Sequence, residues 1–222
     1  MTESWKKRVL APKVKISKDG PPGWYSRGYL PHFDGGEIPQ TITFNLFDSL
    51  PERVLKQWYA ELTLQPDRGR EVELRKRIDA YLDKGVGSAW MNDPAVADLV
   101  QNALLAFDRQ RYRMHAWVVM PNHVHALFTP IGGWELSDIF HSWKSYTAHE
   151  CNRILGRTGR FWRRDCWDRY IRDDQHYANV VRYIEYNPVK VGLCKSPEDW
   201  RWSSAHLRSQ ALLETRSTVT TR

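Results

Sequence analysis

A chain of 222 residues, 41% apolar and 13% aromatic, is long enough for one sizeable core and too apolar to stay disordered. Lys and Arg outnumber Asp and Glu by 33 to 26, and the net charge of +7 favours a polyanionic partner. No apolar run approaches the roughly 20 residues of a membrane helix, and the basic start Met1–Arg8, followed by Pro12, lacks a signal-peptide core, so a cytoplasmic protein with no membrane partner is expected.

Residues 1–40 hold Gly20-Pro-Pro-Gly23, Pro31, Gly35-Gly36 and Pro39, too many breakers for regular structure, and read as an irregular N-terminal arm. Gln40–Asp48 alternates apolar with polar residues and predicts the first strand. From Pro51 the spacing of Val54, Leu55, Trp58, Tyr59 and Leu62 predicts a helix, with Pro51 in its first turn and Ser49 as its cap. A charge-dense helical stretch, Arg68–Lys84, breaks at Gly85-Val-Gly87, and Asp93-Pro94 opens a helix through Leu99, Leu104 and Phe107. Arg111–Met120 and His123–Pro130 are apolar strands parted by Pro121-Asn122, which makes an antiparallel hairpin. A helix over Ser137–Leu155 ends at Gly156, and a short strand follows at Trp167–Ile171. Asp173-Asp174 cap a helix carrying Tyr177, Val180, Val181 and Ile184, which Asn187-Pro188 stops. The polar stretch from Ser209 to Arg222 is expected to be a disordered tail. Strands split by helices around one hairpin predict an α+β fold close to the split β-α-β arrangement: an antiparallel sheet with helices packed on it, in one domain over 41–208.

Chemistry concentrates at His123-Val-His125. Side chains two apart on a strand share a face, so two imidazoles sit together on an otherwise apolar element, where an unpaired polar group is costly. Binding a metal ion is one reason to accept that cost; a hydrogen-bonded structural pair is the other. Such a site needs another ligand and a reacting group, and Tyr183 and Asn187, four apart, stack on one helical face. A phenol with a pKa of about 10 is a poor nucleophile until a cation and a polarised phosphate assist it. Spacing alone does not select Tyr183 over Tyr146, Tyr170, Tyr177 or Tyr186. Arg157, Arg160, Arg163, Arg164, Arg169 and Arg172 fall in one stretch, interleaved with Trp162 and Trp167. Guanidinium groups beside aromatic faces suit phosphates and unpaired bases, and Lys144 and Arg182 lie near enough in sequence to join them. A solvated loop over core tryptophans is the plainer alternative. Cys151, Cys166 and Cys194 are scattered, which fits structural thiols rather than a disulfide framework or zinc ribbon.

In combination, Met120-Pro-Asn-His-Val-His125, Gly159-Arg-Phe-Trp162, Arg182-Tyr-Ile-Glu-Tyr-Asn-Pro-Val-Lys190 and Trp200-Arg-Trp-Ser-Ser204 closely resemble the REP-associated tyrosine transposases, relatives of the single-tyrosine insertion-sequence transposases in the His-hydrophobic-His superfamily. The resemblance runs from about Ile42 to His206. It implies a ferredoxin-like core that cuts and rejoins single-stranded DNA at short palindromic hairpins, in the bacterial nucleoid. It also implies that His123, His125 and Asn187 hold a divalent ion, Mg²⁺ or Mn²⁺, and that Tyr183 attacks a phosphate to leave a 5′-phosphotyrosine and a free 3′-hydroxyl. The arm before Gln40 and the insert around Arg68–Gly87 depart from the minimal enzymes, and Asn187 stands where the insertion-sequence relatives offer a longer glutamine. A domesticated hairpin-binding module that does not cut is the rival reading, and a water-using metallohydrolase is a third. Monomer and homodimer are both compatible with the sequence.

Overall fold

The computed structural model describes residues 24–26, 31–33, 36–64 and 69–219. Its elements run β1 (Trp24–Ser26), β2 (Pro31–Phe33), β3 (Gln40–Asn45), α1 (Glu52–Thr63), α2 (Arg70–Leu82), α3 (Pro94–Leu105), β4 (Tyr112–Val119), β5 (His123–Pro130), α4 (Leu136–Ile154), β6 (Trp167–Tyr170), α5 (Asp174–Lys190) and α6 (Ser204–Val219). β4, β5, β3 and β6, in that spatial order, form one antiparallel sheet. With α3 between β3 and β4 and α4 between β5 and β6, this is the strand–helix–strand–strand–helix–strand connectivity of a ferredoxin-like sheet, so the α+β expectation holds.

The sheet is covered on both faces, one mainly apolar and the other apolar around a buried polar patch of Thr41, Thr43, Asn45, His123 and His125. Ile42 and Phe44 of β3 and Val124, Ala126 and Phe128 of β5 alternate to one side, where they meet Val96, Val100 and Leu104 of α3 and Ile139, Phe140 and Trp143 of α4. Each of the larger side chains contributes about 1.5–3 kcal/mol by leaving water. To the other side, Ala116, Val118, Met120 and Leu127 pack on Val180 and Ile184 of α5. α1 and α2 form their own cluster through Leu55, Leu62, Leu74, Ile78 and Leu82, and Trp167 of β6 joins it. Trp167 pairs in register with Thr43, so the α1–α2 hairpin sits over the same sheet face as α5.

Four expectations are corrected. Within residues 1–40, β1 and β2 pair as a short antiparallel ribbon rather than remaining irregular; the other residues of 1–35 lie outside the described residues. Ser49 does not cap α1: its hydroxyl donates to Leu46 O and accepts from Asn45 Nδ2, which spends it on the loop. Pro188 does not stop α5, which runs on to Lys190. A proline so near the end removes one hydrogen bond, and Gly192, at φ 76, ends the helix instead. Good helix formers at Ala211–Glu214 carry α6 through Val219 where a disordered tail was expected, and residues 220–222 lie outside the described residues.

Candidate metal and tyrosine centre

Register delivers the histidines. In the β3–β5 pair, Thr43 lies opposite His125 and Asn45 opposite His123, so both imidazoles point to the face under α5 and α2. The rings stand 4.7 Å apart, nearly perpendicular, and each histidine is 1% exposed. Each Nδ1 has a partner: Asn122 Oδ1 at 2.7 Å for His123, and Thr43 Oγ1 at 2.7 Å for His125. Tying down Nδ1 leaves Nε2 as the nitrogen that faces the centre.

α5 crosses this face with Tyr183 and Asn187 one turn apart. Asn187 is 1% exposed, and its Nδ2 lies 3.2 Å from His125 Nε2. The Tyr183 ring stands edge-on to His125 at 5.3 Å, and its hydroxyl is buried. The pair predicted from helical spacing therefore meets the pair predicted from strand spacing.

Burial sets the electrostatics. It pushes the His123 pKa down to about 3, helped by the charge of Lys190. It lowers His125 too, with His123, Arg75 and Lys190 adding to the effect, so both rings are neutral and competent to ligate. Tyr183 is pushed upward, first by burial and then by the Asp79 carboxylate beside it. It is a neutral phenol at ordinary pH.

Three buried polar atoms here, His123 Nε2, Asn187 Oδ1 and Tyr183 Oη, have no hydrogen-bond partner, and the first two are lone-pair donors. Leaving them so costs about 1–3 kcal/mol each, and a cation accepting both lone pairs would remove that cost. Among the described residues no group of three or more His, Cys, Asp or Glu side chains is placed to hold a metal. Asn187 Oδ1 is the candidate for a third ligand, and a set of two imidazoles and one amide oxygen would suit a divalent ion of intermediate hardness.

The basic stretch divides in two. Arg157 is spent on structure: its guanidinium lies 3.7 Å from the Trp90 ring and donates to Asn152 Oδ1 and Arg160 O. Arg163 donates from its backbone to Asn45 O and from its side chain to Leu50 O. Lys144 donates to the carbonyls of Arg163 and Arg164, which ties the loop to α4. Trp162, 6% exposed, packs on Phe44 and Phe161 and donates to Thr147 Oγ1; it belongs to the core and offers no open face to a base. Arg160, Arg164 and Arg172 are exposed, and Arg169 is half-buried on β6. Lys144, Ser145, Arg160, Arg163 and Arg164 line an open groove of about 670 Å³ between α4 and the loop before β6. Arg182 is exposed on α5 and lines a separate groove towards α6.

Sequence reasoning missed Thr43, Asn122, Asp79 and Lys190. Strand pairing could have nominated Thr43, but nothing local marks Asp79, which reaches the centre on α2.

The family model described as transposase, IS200 like, matches residues 92–187. Over 110 residues the chain is 32% identical to the REP-associated tyrosine transposase of Escherichia coli (strain K12), covering 49% of this chain and 64% of that one. Over 55 residues it is 46% identical to a Haemophilus influenzae protein carrying the same family name, covering 25% and 31%. The chain thus spans less than two thirds of the length of the curated relatives it matches. A solved REP-associated tyrosine transposase bound to a REP hairpin has the same fold, with a TM-score of 0.52 at 23% identity over 82% of each chain. β3, α1 and α2 all precede the segment that the family model matches.

Proposed function

We propose, from a family-level identification with the IS200-like, REP-associated tyrosine transposases that the family model and both curated relatives support, that this chain is a metal-dependent single-strand DNA endonuclease and strand-transferase. Its substrate is palindromic hairpin DNA with single-stranded flanks, encountered in the cytoplasm on nucleoid DNA. The observation that carries the reading is the convergence of His123, His125, Asn187 and Tyr183, from two different elements, in one buried cluster.

His123, His125 and Asn187 would hold Mg²⁺ or Mn²⁺, which when bound supplies charge neutralisation at the scissile phosphate. Tyr183 Oη attacks phosphorus, the bond to the 3′-oxygen breaks, and a 5′-phosphotyrosine and a 3′-hydroxyl remain. Burial and the Asp79 carboxylate raise the Tyr183 pKa, so the phenol is protonated in the free protein. Arg160, Arg164, Arg169 and Arg172, with Arg182 on α5, would take the backbone of the hairpin and its flank, while Lys144 and Arg163 fix the groove wall that presents them.

The test is a labelled hairpin oligonucleotide with a single-stranded flank, incubated with Mn²⁺ or Mg²⁺. A covalent protein–DNA adduct that disappears in Tyr183→Phe while hairpin binding persists is the expected result. Burial of both histidines favours one other reading, a hairpin-binding module that does not cut. Binding with no adduct under any metal would select it, and cleavage persisting in Tyr183→Phe would select a water nucleophile.

A further inference from the structure

A hairpin turn is normally polar and open to water, yet Asn122, in the three-residue connection between β4 and β5, is 1% exposed. Its side chain points inward and uses its hydrogen-bonding capacity in three directions. Nδ2 donates to Leu82 O at 3.1 Å and to Val86 O at 3.0 Å, and Oδ1 lies 2.7 Å from His123 Nδ1. The two carbonyls decide the orientation of the amide, because turning it over would set Oδ1 against two acceptors. With Oδ1 facing the ring, His123 Nδ1 must carry the proton. Nε2 is then the unprotonated nitrogen, buried and without a hydrogen-bond partner.

The carbonyls that orient Asn122 belong to the end of α2 and the turn after it, outside the segment shared with the family model. Lys190 of α5 reinforces the arrangement by pairing with Asp83, the residue after α2, at 2.6 Å. The end of α2 therefore bears on the ring orientation of one histidine.

We propose that Asn122 is a positioning residue of the candidate metal centre: anchored by the carbonyls at the end of α2, it holds His123 as the Nδ1–H tautomer with Nε2 ready to ligate. This rests on the metal-dependent reading above. Partners of this kind, hydrogen-bonded to the far nitrogen of a ligating histidine, change metal affinity by about 10–100-fold when removed.

The experiment titrates Mn²⁺ by calorimetry into the full chain as wild type, His123→Ala, Asn122→Ala and Asn122→Asp. His123→Ala should lose binding, Asn122→Ala should weaken it about 10–100-fold, and Asn122→Asp should recover most of it. Asp keeps an acceptor for Nδ1–H, although its carboxylate faces two carbonyls and should lower the melting temperature. Wild-type affinity in Asn122→Ala, with binding lost in His123→Ala, would overturn the positioning role and leave the metal centre standing. Wild-type affinity in His123→Ala would overturn both. Nitrogen-15 NMR of the metal-free wild type gives a readout independent of any variant's folding: an Nδ1-protonated His123 is expected, and an Nε2-protonated ring would overturn the proposal.

Discussion

His123 shows how far a single side chain can be moved by its surroundings. Its pKa falls from 6.5 to about 3, chiefly through burial. In the unfolded chain the ring takes up a proton near its ordinary value and in the folded chain it resists doing so. The stability it contributes is therefore present above about pH 6.5 and is lost as pH falls towards 3, with a span on the order of 5 kcal/mol. Urea midpoints measured across that window should drop steeply, and His123→Gln should flatten the slope. Tyr183 moves the other way, and removing one named cause tests it. Asp79→Asn takes the charge from beside the phenol, so tyrosinate absorbance should appear at lower pH than in wild type. The pairing of His123 with His125 and of Tyr183 with Asn187 was readable from periods of two and four. Asp79 was not, because its nearness to Tyr183 arises between helices far apart in sequence.

At the scale of elements, α5, which carries Tyr183, and α2 hold the buried face closed together. Asp83 and Lys190 join α2 to α5, and Ile78, 1% exposed, seats α2 in its own cluster. Asp83→Asn should cost about 1 kcal/mol or less, because Lys190 is half-exposed, yet it should speed amide hydrogen exchange across α2 relative to α3. Ile78→Ala should cost about 2–5 kcal/mol through the cavity it leaves. Boundaries set by local chemistry were legible: Asp93 and Asp173 cap α3 and α5 as their positions suggest. Boundaries decided by context were not. Pro188 sits late enough in α5 to be tolerated, and Ser49 finds a loop carbonyl before it finds a helix end.

For the molecule as a whole, the surplus of positive charge matters only where it remains available. Arg160 and Arg164 line the groove and are exposed, whereas Arg157 is stacked on Trp90. Arg160→Ala and Arg164→Ala should each reduce the salt dependence of hairpin binding by about one unit of slope, with little change in melting temperature. Arg157→Ala should do the reverse, lowering the melting temperature while leaving the slope nearly unchanged. Among the described residues no helix is long and apolar enough to cross a membrane. Because both histidines are 1% exposed, a DNA strand reaches them only if α2 or α5 shifts, so hairpin DNA should raise hydrogen exchange in at least one of these helices.

Period and composition by themselves determined the α+β class, the succession of strands and helices along the chain, and the residue types available for chemistry, since each depends on neighbours within about one turn or one strand pair. Tertiary structure alone decided which cations stay exposed, which turn residue faces inward, and that a helix far upstream in the chain closes over the histidines. Those outcomes depend on which surfaces compete for the same buried space, and no local pattern records that competition.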